Sequence, residues 1–112
     1  MMHASQLGFN PEYSDAEPSI EQVNALTGRA LLEFGAPWCG HCQAARPSIE
    51  QALAEHPSLM HIKVYDNKGK PLGRAFKVKL WPTLILLQDG KEVERIVRPV
   101  HVAEVADLLT ST

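Results

Sequence analysis

The chain has 112 residues, with 11 Lys and Arg against 13 Asp and Glu, a formal net charge of -2 and 45% hydrophobic residues. That length accommodates one domain with a layered core and is too short for two cores, and the near-balanced charge excludes a nucleic-acid binder built on a basic surface. No stretch approaches a membrane span and the first twenty residues lack the apolar segment of a signal peptide, so the expectation is a cytoplasmic, monomeric globule with neither nucleic-acid nor membrane partners.

Residues 1 to 17 include His3, Asn10, Pro11, Glu12, Asp15 and Glu17 with little periodicity, and read as a loose N-terminal arm. A short strand near Leu7 to Phe9 or Tyr13 is the most structure expected there, and the single domain is expected over 18–112. Pro18-Ser19 offers a start for a helix that carries Ile20, Val23 and Leu26 and ends near Gly28. Ala30 to Gly35 is almost wholly apolar, as a strand covered on both faces must be. Glu33 interrupts it. Burying an isolated carboxylate is costly and raises its pKa, so an acid here is paired or functional; left unpaired, its replacement by alanine would stabilise the protein.

A helix is expected from about Cys39 to Ala54, bent at Pro47, where an N-H is missing, with Gln43, Arg46, Glu50 and Glu55 toward solvent. Leu59 to Tyr65 reads as a second parallel strand, Asp66-Asn67-Lys68-Gly69 as a turn, and residues 71–79 as a short helix carrying Leu72, Ala75, Phe76 and Val78. Thr83 to Gln88 is an apolar strand, Asp89-Gly90 a two-residue hairpin turn, and Lys91 to Arg98 the antiparallel partner. Glu92, Glu94, Arg95 and Arg98 suit an exposed edge. Val102, Val105, Ala106, Leu108 and Leu109 form one face of a closing helix. Early alternation of strand and helix followed by a hairpin predicts an α/β fold, with a central mixed sheet flanked by helices on both faces.

The chemistry concentrates in Trp38-Cys39-Gly40-His41-Cys42, which holds both cysteines of the chain. The motif sits where a buried strand turns into a helix. A thiol there meets unpaired backbone N-H groups and the positive end of the helix dipole, both of which favour thiolate. Cys39 is placed to be a nucleophile, and Cys42, one turn on, to attack a mixed disulfide formed at Cys39. A structural disulfide would close too small a loop to be a useful staple. A zinc site needs four ligands, and His3, His56, His61 and His101 show no short paired spacing. A lone C-x-x-C beside a strand-helix pattern is instead the mark of a redox-active dithiol.

Glu33-Phe34-Gly35-Ala36-Pro37-Trp38-Cys39-Gly40-His41-Cys42 resembles the active-site segment of the thioredoxin family, and its Cys-Gly-His-Cys core is similar to that of protein disulfide isomerase domains. Pro47 matches the proline that kinks the family's active-site helix, and Trp81-Pro82-Thr83 matches its cis-proline position. The likeness runs from about Ile20 to Leu109 and implies the thioredoxin fold and a thiol-disulfide oxidoreductase that needs no metal or organic cofactor. It implies disulfide-containing protein substrates, a recycling reductase or other dithiol donor, and a part in cell redox homeostasis. The resemblance makes Glu33 a proton acceptor, through water, for Cys42. It gives Pro82 a cis bond and lets the backbone of Trp81 meet an extended substrate, with Trp38, Trp81 and Pro82 as the substrate-binding surface. Gly40 and His41 would tune the pair, although His41 also reads as a helix-surface residue. Lys63 reads either as a solvated strand lysine or as a neighbour of the buried acid, and Trp81 either as a substrate contact or as a hydrophobic cover. Two readings of another kind stay open on these residues: a peptide-binding or chaperone module, and a redox-sensing regulatory domain.

Overall fold

The computed structural model describes residues 4–67 and 70–111. Its centre is set by three strands that are buried on both faces, β2 (Arg29–Gly35), β3 (Met60–Tyr65) and β4 (Thr83–Gln88), joined at the edges by β1 (Ser5–Leu7) and β5 (Lys91–Val97). They form a five-stranded sheet in the order β1-β3-β2-β4-β5. β2 and β3 run parallel, whereas β1, β4 and β5 each run antiparallel to their neighbours. Side chains alternate across a strand, so the central strands feed two cores. Leu31, Leu84 and Leu86 pack under α2 (Gly40–Leu53) and α4 (Val102–Leu109), against Ile49, Leu53, Val105 and Leu108. Leu32, Phe34, Ile62, Val64, Ile85 and Leu87 face the other way, toward Val23 of α1 (Ile20–Asn24) and Leu72 of α3 (Pro71–Ala75). Each fully buried side chain of this kind contributes about 1.5–3 kcal/mol relative to exposure.

The ends of the elements have local causes. α1 starts at the Ser19 cap, whose hydroxyl accepts the Gln22 N-H at 3.1 Å while the Gln22 side chain accepts the Ser19 N-H at 2.9 Å. The helix expected over 71–79 stops at Ala75: Lys77 takes a left-handed φ of 56°, and the Val78 N-H turns back to the Gly73 carbonyl at 2.9 Å. Asp89 and Gly90, with φ of 51° and 78°, make the hairpin turn expected between β4 and β5. A Cβ on Gly90 would lie 2.6 Å from the carbonyl oxygens of Val23 and Asn24, so only glycine allows α1 to approach this turn. Of the turn expected at 66–69, Asp66 and Asn67 are described, and Lys68 and Gly69 lie outside the described residues.

Residues 4–17 depart from the loose arm expected of them. β1 pairs with β3 from Ser5↔Ile62 to Leu7↔Met60, rather than forming over Leu7 to Phe9. The chain then returns to the same edge, where Ser14 donates its N-H to the Lys63 carbonyl at 3.0 Å and accepts the Tyr65 N-H at 2.8 Å. The physical reason is the open edge of β3: its backbone groups need partners, and this segment supplies them.

Candidate active site

The β2–α2 turn positions the two thiols. Cys39 is the N-cap of α2 with extended backbone (φ -78°, ψ 122°), and its Sγ accepts the Cys42 N-H at 3.2 Å, satisfying one of the helix's unpaired donors. Both thiols are free; Cys39 is 8% exposed and Cys42 3%. Burial, then the neighbouring Cys39 side chain, push the Cys42 thiol up to about 12, against a smaller downward pull from the Ala36 backbone and the Tyr13 hydroxyl. Gly40 and His41 follow on the exposed first turn of α2. Gln43, Arg46, Glu50 and Glu55 are exposed, as the helical pattern predicts.

Behind the dithiol lies Glu33, only 1% exposed. It is fully partnered. His61 Nε2 lies 2.9 Å from Glu33 Oε1, and the Tyr13 hydroxyl donates a short hydrogen bond to Oε2. The Asn10 N-H donates to His61 Nδ1 at 2.9 Å, which leaves Nε2 to carry the ring proton toward Glu33. Burial alone would push the Glu33 carboxyl up, but the His61 hydrogen bond, the Lys63 ammonium and the Tyr13 hydrogen bond outweigh it and hold the carboxyl below its ordinary value. The carboxylate is therefore paired, so the stabilisation expected of an alanine replacement at an unpaired Glu33 does not apply. Of the two readings of Lys63, the structure shows the neighbour of the buried acid and not the solvated strand lysine. Lys63 is 3% exposed, directly opposite Glu33 in the parallel register, with Nζ 4.4 Å from the Tyr13 ring centroid, 5.1 Å from that of Phe9 and 3.4 Å from the Pro11 carbonyl.

An aromatic rim surrounds the front of the site. Trp38 is 63% exposed and meets Trp81 edge-to-face with ring centroids 5.5 Å apart. Trp38 Nε1 donates to the Tyr65 hydroxyl at 3.1 Å, and Trp81 Nε1 to Asp66 Oδ2 at 2.8 Å. Burial pushes the Asp66 carboxyl up, against the opposing pull of the Trp81 bond and Lys70. The Trp81-Pro82 peptide bond is cis and Pro82 is buried. The Trp81 carbonyl, expected to be open to substrate, already accepts the Arg98 Nε-H at 2.8 Å, and the Arg98 N-H donates to the Pro82 carbonyl at 2.9 Å. Thus Arg98 fastens this loop to the end of β5 rather than simply lining an exposed edge.

Cys39 and Cys42 form one apolar cluster with Ala36, edged by Tyr13, Tyr65 and Trp81. A cleft of about 380 Å³ opens beside Cys42, lined by Tyr13, Ala36, Pro37, Gln43, Arg46 and Lys63 among others. Among the described residues, no three His, Cys, Asp or Glu side chains converge as a metal site requires. Tyr13, His61 and Asn10 are named in the sequence analysis, where none of them is assigned to the dithiol site. Met60, Ile62 and Val64 alternate with His61 and Lys63, and this two-residue period carries the signal that both polar residues share one face, which the β2–β3 register makes the face of Glu33. Nothing comparable marks Tyr13.

A thioredoxin family model matches residues 14–111, nearly the whole described domain. The chain belongs to the thioredoxin family. It is 43% identical to a thioredoxin of Chlamydia trachomatis over 72 residues, 63% of this chain and 70% of that one. It is 37% identical over 86 residues to a protein disulfide-isomerase of Triticum aestivum, covering 70% of this chain and 17% of the relative. Among solved structures, thioredoxin 2 of Pseudomonas aeruginosa in its reduced form superposes with a TM-score of 0.81 at 42% identity, covering 90% of this chain and 94% of the other. The five-stranded mixed sheet with its helices on both faces is thus the thioredoxin fold, and the protein is a thiol-disulfide oxidoreductase of the thioredoxin type. As for other thioredoxins, disulfides are the substrate class and a reductase returns the dithiol. No helix among the described residues is long and apolar enough to cross a membrane.

Proposed function

We propose that the protein reduces disulfides of other proteins, with Cys39 as attacking thiol, Cys42 as resolving thiol and Glu33 as the proton acceptor for Cys42. The carrying observation is the asymmetry of the two thiols. Cys39 caps α2, faces the unpaired N-H groups of its first turn and is the more exposed, whereas Cys42 is deeper and its thiol is held protonated by burial. Cys39 thiolate attacks one sulfur of the substrate disulfide and displaces the other as thiolate. Cys42 then loses its proton and attacks the Cys39 sulfur, and the second substrate thiolate leaves. Two electrons pass to substrate, and Cys39-Cys42 becomes a disulfide. Reversal of the same steps oxidises a dithiol.

The Trp38, Trp81 and Pro82 surface beside Cys39 supports a peptide substrate laid across the rim, with Gly40 and His41 exposed at its edge. A chain whose only cysteines are the redox pair is consistent with a reducing compartment, which supports action in the cytoplasm, fed by a reductase or other dithiol donor. The test is insulin reduction by cysteine variants. Cys42→Ser accumulates a mixed disulfide with the insulin chain, and Cys39→Ser neither reduces nor traps. Trapping by Cys39→Ser would reverse the roles.

A further inference from the structure

The base invoked for Cys42 does not face it alone. Tyr13 Oη is hydrogen-bonded to Glu33 Oε2, and the Tyr13 side chain packs against the cluster that holds Cys42. Gly35 explains how both side chains fit. A Cβ there would come within 2.6 Å of Tyr13 Oη and 2.7 Å of Cys42 Sγ, so the hydroxyl and the thiol share the space that glycine leaves open. We propose that the Tyr13 hydroxyl carries the proton from the Cys42 thiol to Glu33 during resolution. This rests on the roles of Cys42 and Glu33 given above and replaces a bridging water with a side chain.

The step balances. As the Cys42 S-H bond breaks, a Tyr13 O-H bond forms with that proton while the original phenolic proton passes to Glu33 Oε2. Cys42 thiolate forms the bond to Cys39 sulfur, the Cys39–substrate bond breaks, and the substrate sulfur leaves as thiolate. Tyr13 ends neutral, as it began. Its donor side is committed to Glu33, which leaves the oxygen lone pairs for the thiol proton. Burial and the Glu33 charge keep the phenol protonated, so Tyr13 passes protons without being a base itself. His61 holds the other carboxylate oxygen, so Oε2 is the oxygen turned to Tyr13. The charged groups around the relay are Glu33 from β2, Lys63 from β3, and Arg46 and Glu50 from α2, with Glu12 beside Tyr13 in the same chain segment. Lys63, above the phenol ring, favours the charged carboxylate between turnovers.

Tyr13→Phe keeps the ring under Lys63 and removes only the hydroxyl. With glutathione disulfide as substrate, acid-quenched mass spectrometry counts the Cys39–glutathione adduct and so times resolution, while attack is timed separately in a Cys42→Ser background. Resolution in Tyr13→Phe is expected to slow by about tenfold or more near neutral pH, with the deficit closing as pH rises and Cys42 ionises unaided, while attack changes by less than about twofold. Unchanged resolution, or equal slowing of both steps, overturns the relay. Glu33→Gln is run in parallel. If it slows resolution and Tyr13→Phe does not, Glu33 remains the base and the relay falls; if neither does, both assignments fall. The wild-type protein supplies a test that needs no variant. A resolution rate that bows downward with deuterium fraction reports two protons in flight, and a linear dependence overturns the relay.

Discussion

A carboxylate flanked by leucine and phenylalanine in a central strand persists because both of its oxygens have a donor: the His61 imidazole on one side, the Tyr13 hydroxyl on the other. Removing it would strand those two groups in a dry site rather than relieve a burial cost. Glu33→Ala is therefore expected to destabilise the protein by about 3 kcal/mol, the lower end of the cost of breaking a buried pair. A urea midpoint equal to or above wild type would show that the carboxylate is not effectively partnered. The pH dependence has a fixed sign. Because the folded carboxyl lies below its ordinary value, its contribution is complete above the unfolded value of about 4.3 and is lost as pH falls through that value toward the folded one. Wild-type stability should decline over that acidic window, and Glu33→Gln should lose less there.

At the scale of elements, the N-terminal segment and the cis-proline loop carry what local pattern could not disclose. The apolar runs of β2 and β4, the Asp89-Gly90 turn and the cysteine pair at a helix start are local signals, and each lies in the structure where its pattern put it. β1 and Tyr13 owe their positions to an open strand edge contributed by residues some fifty positions later, and a three-residue strand has no period of its own to read. The partnering of Glu33 was equally non-local: the residue was conspicuous in sequence, but its pKa direction depends on His61 and Tyr13, which the fold brings to it. Removing residues 1–17 uncovers the β3 edge and takes away Asn10 and Tyr13. A loss of about 2 kcal/mol from these hydrogen bonds corresponds to a melting temperature lower by roughly 10 °C. Scanning calorimetry checks this, and an unchanged melting temperature would mean that the segment is not energetically part of the domain. In the cis-proline loop, Asp66 and Arg98 hold Trp81 at its indole and its carbonyl, so the ring is a fixed wall beside Cys39. Trp81→Ile should alter relative rates among protein disulfides more than the rate with glutathione disulfide; equal changes in both would assign the effect to thiol chemistry.

For the whole molecule, the consequence of this architecture is a reduction potential. The fold places the thiol pair at the start of α2, so the reduced form can hold a thiolate against helix N-H groups, whereas the disulfide has no charge to benefit. Whatever steadies the reduced form makes the disulfide a stronger oxidant, and for this two-electron couple about 1.4 kcal/mol corresponds to roughly 30 mV. His41, exposed in that first turn, adds positive charge beside the reduced form whenever its imidazole is protonated. Thioredoxin lies near about -270 mV and protein disulfide isomerase near about -180 mV. With thioredoxin's fold and a Cys-Gly-His-Cys pair, this protein is expected between them. It would then rest largely as the dithiol in a reducing cytosol and act there as a reductant. His41→Pro removes the imidazole and should move the potential several tens of millivolts more negative, roughly one to two steps of 1.4 kcal/mol. Equilibration against a glutathione series measures both proteins under the same conditions, and no shift, or a shift to more positive potential, would take His41 out of the tuning of this pair.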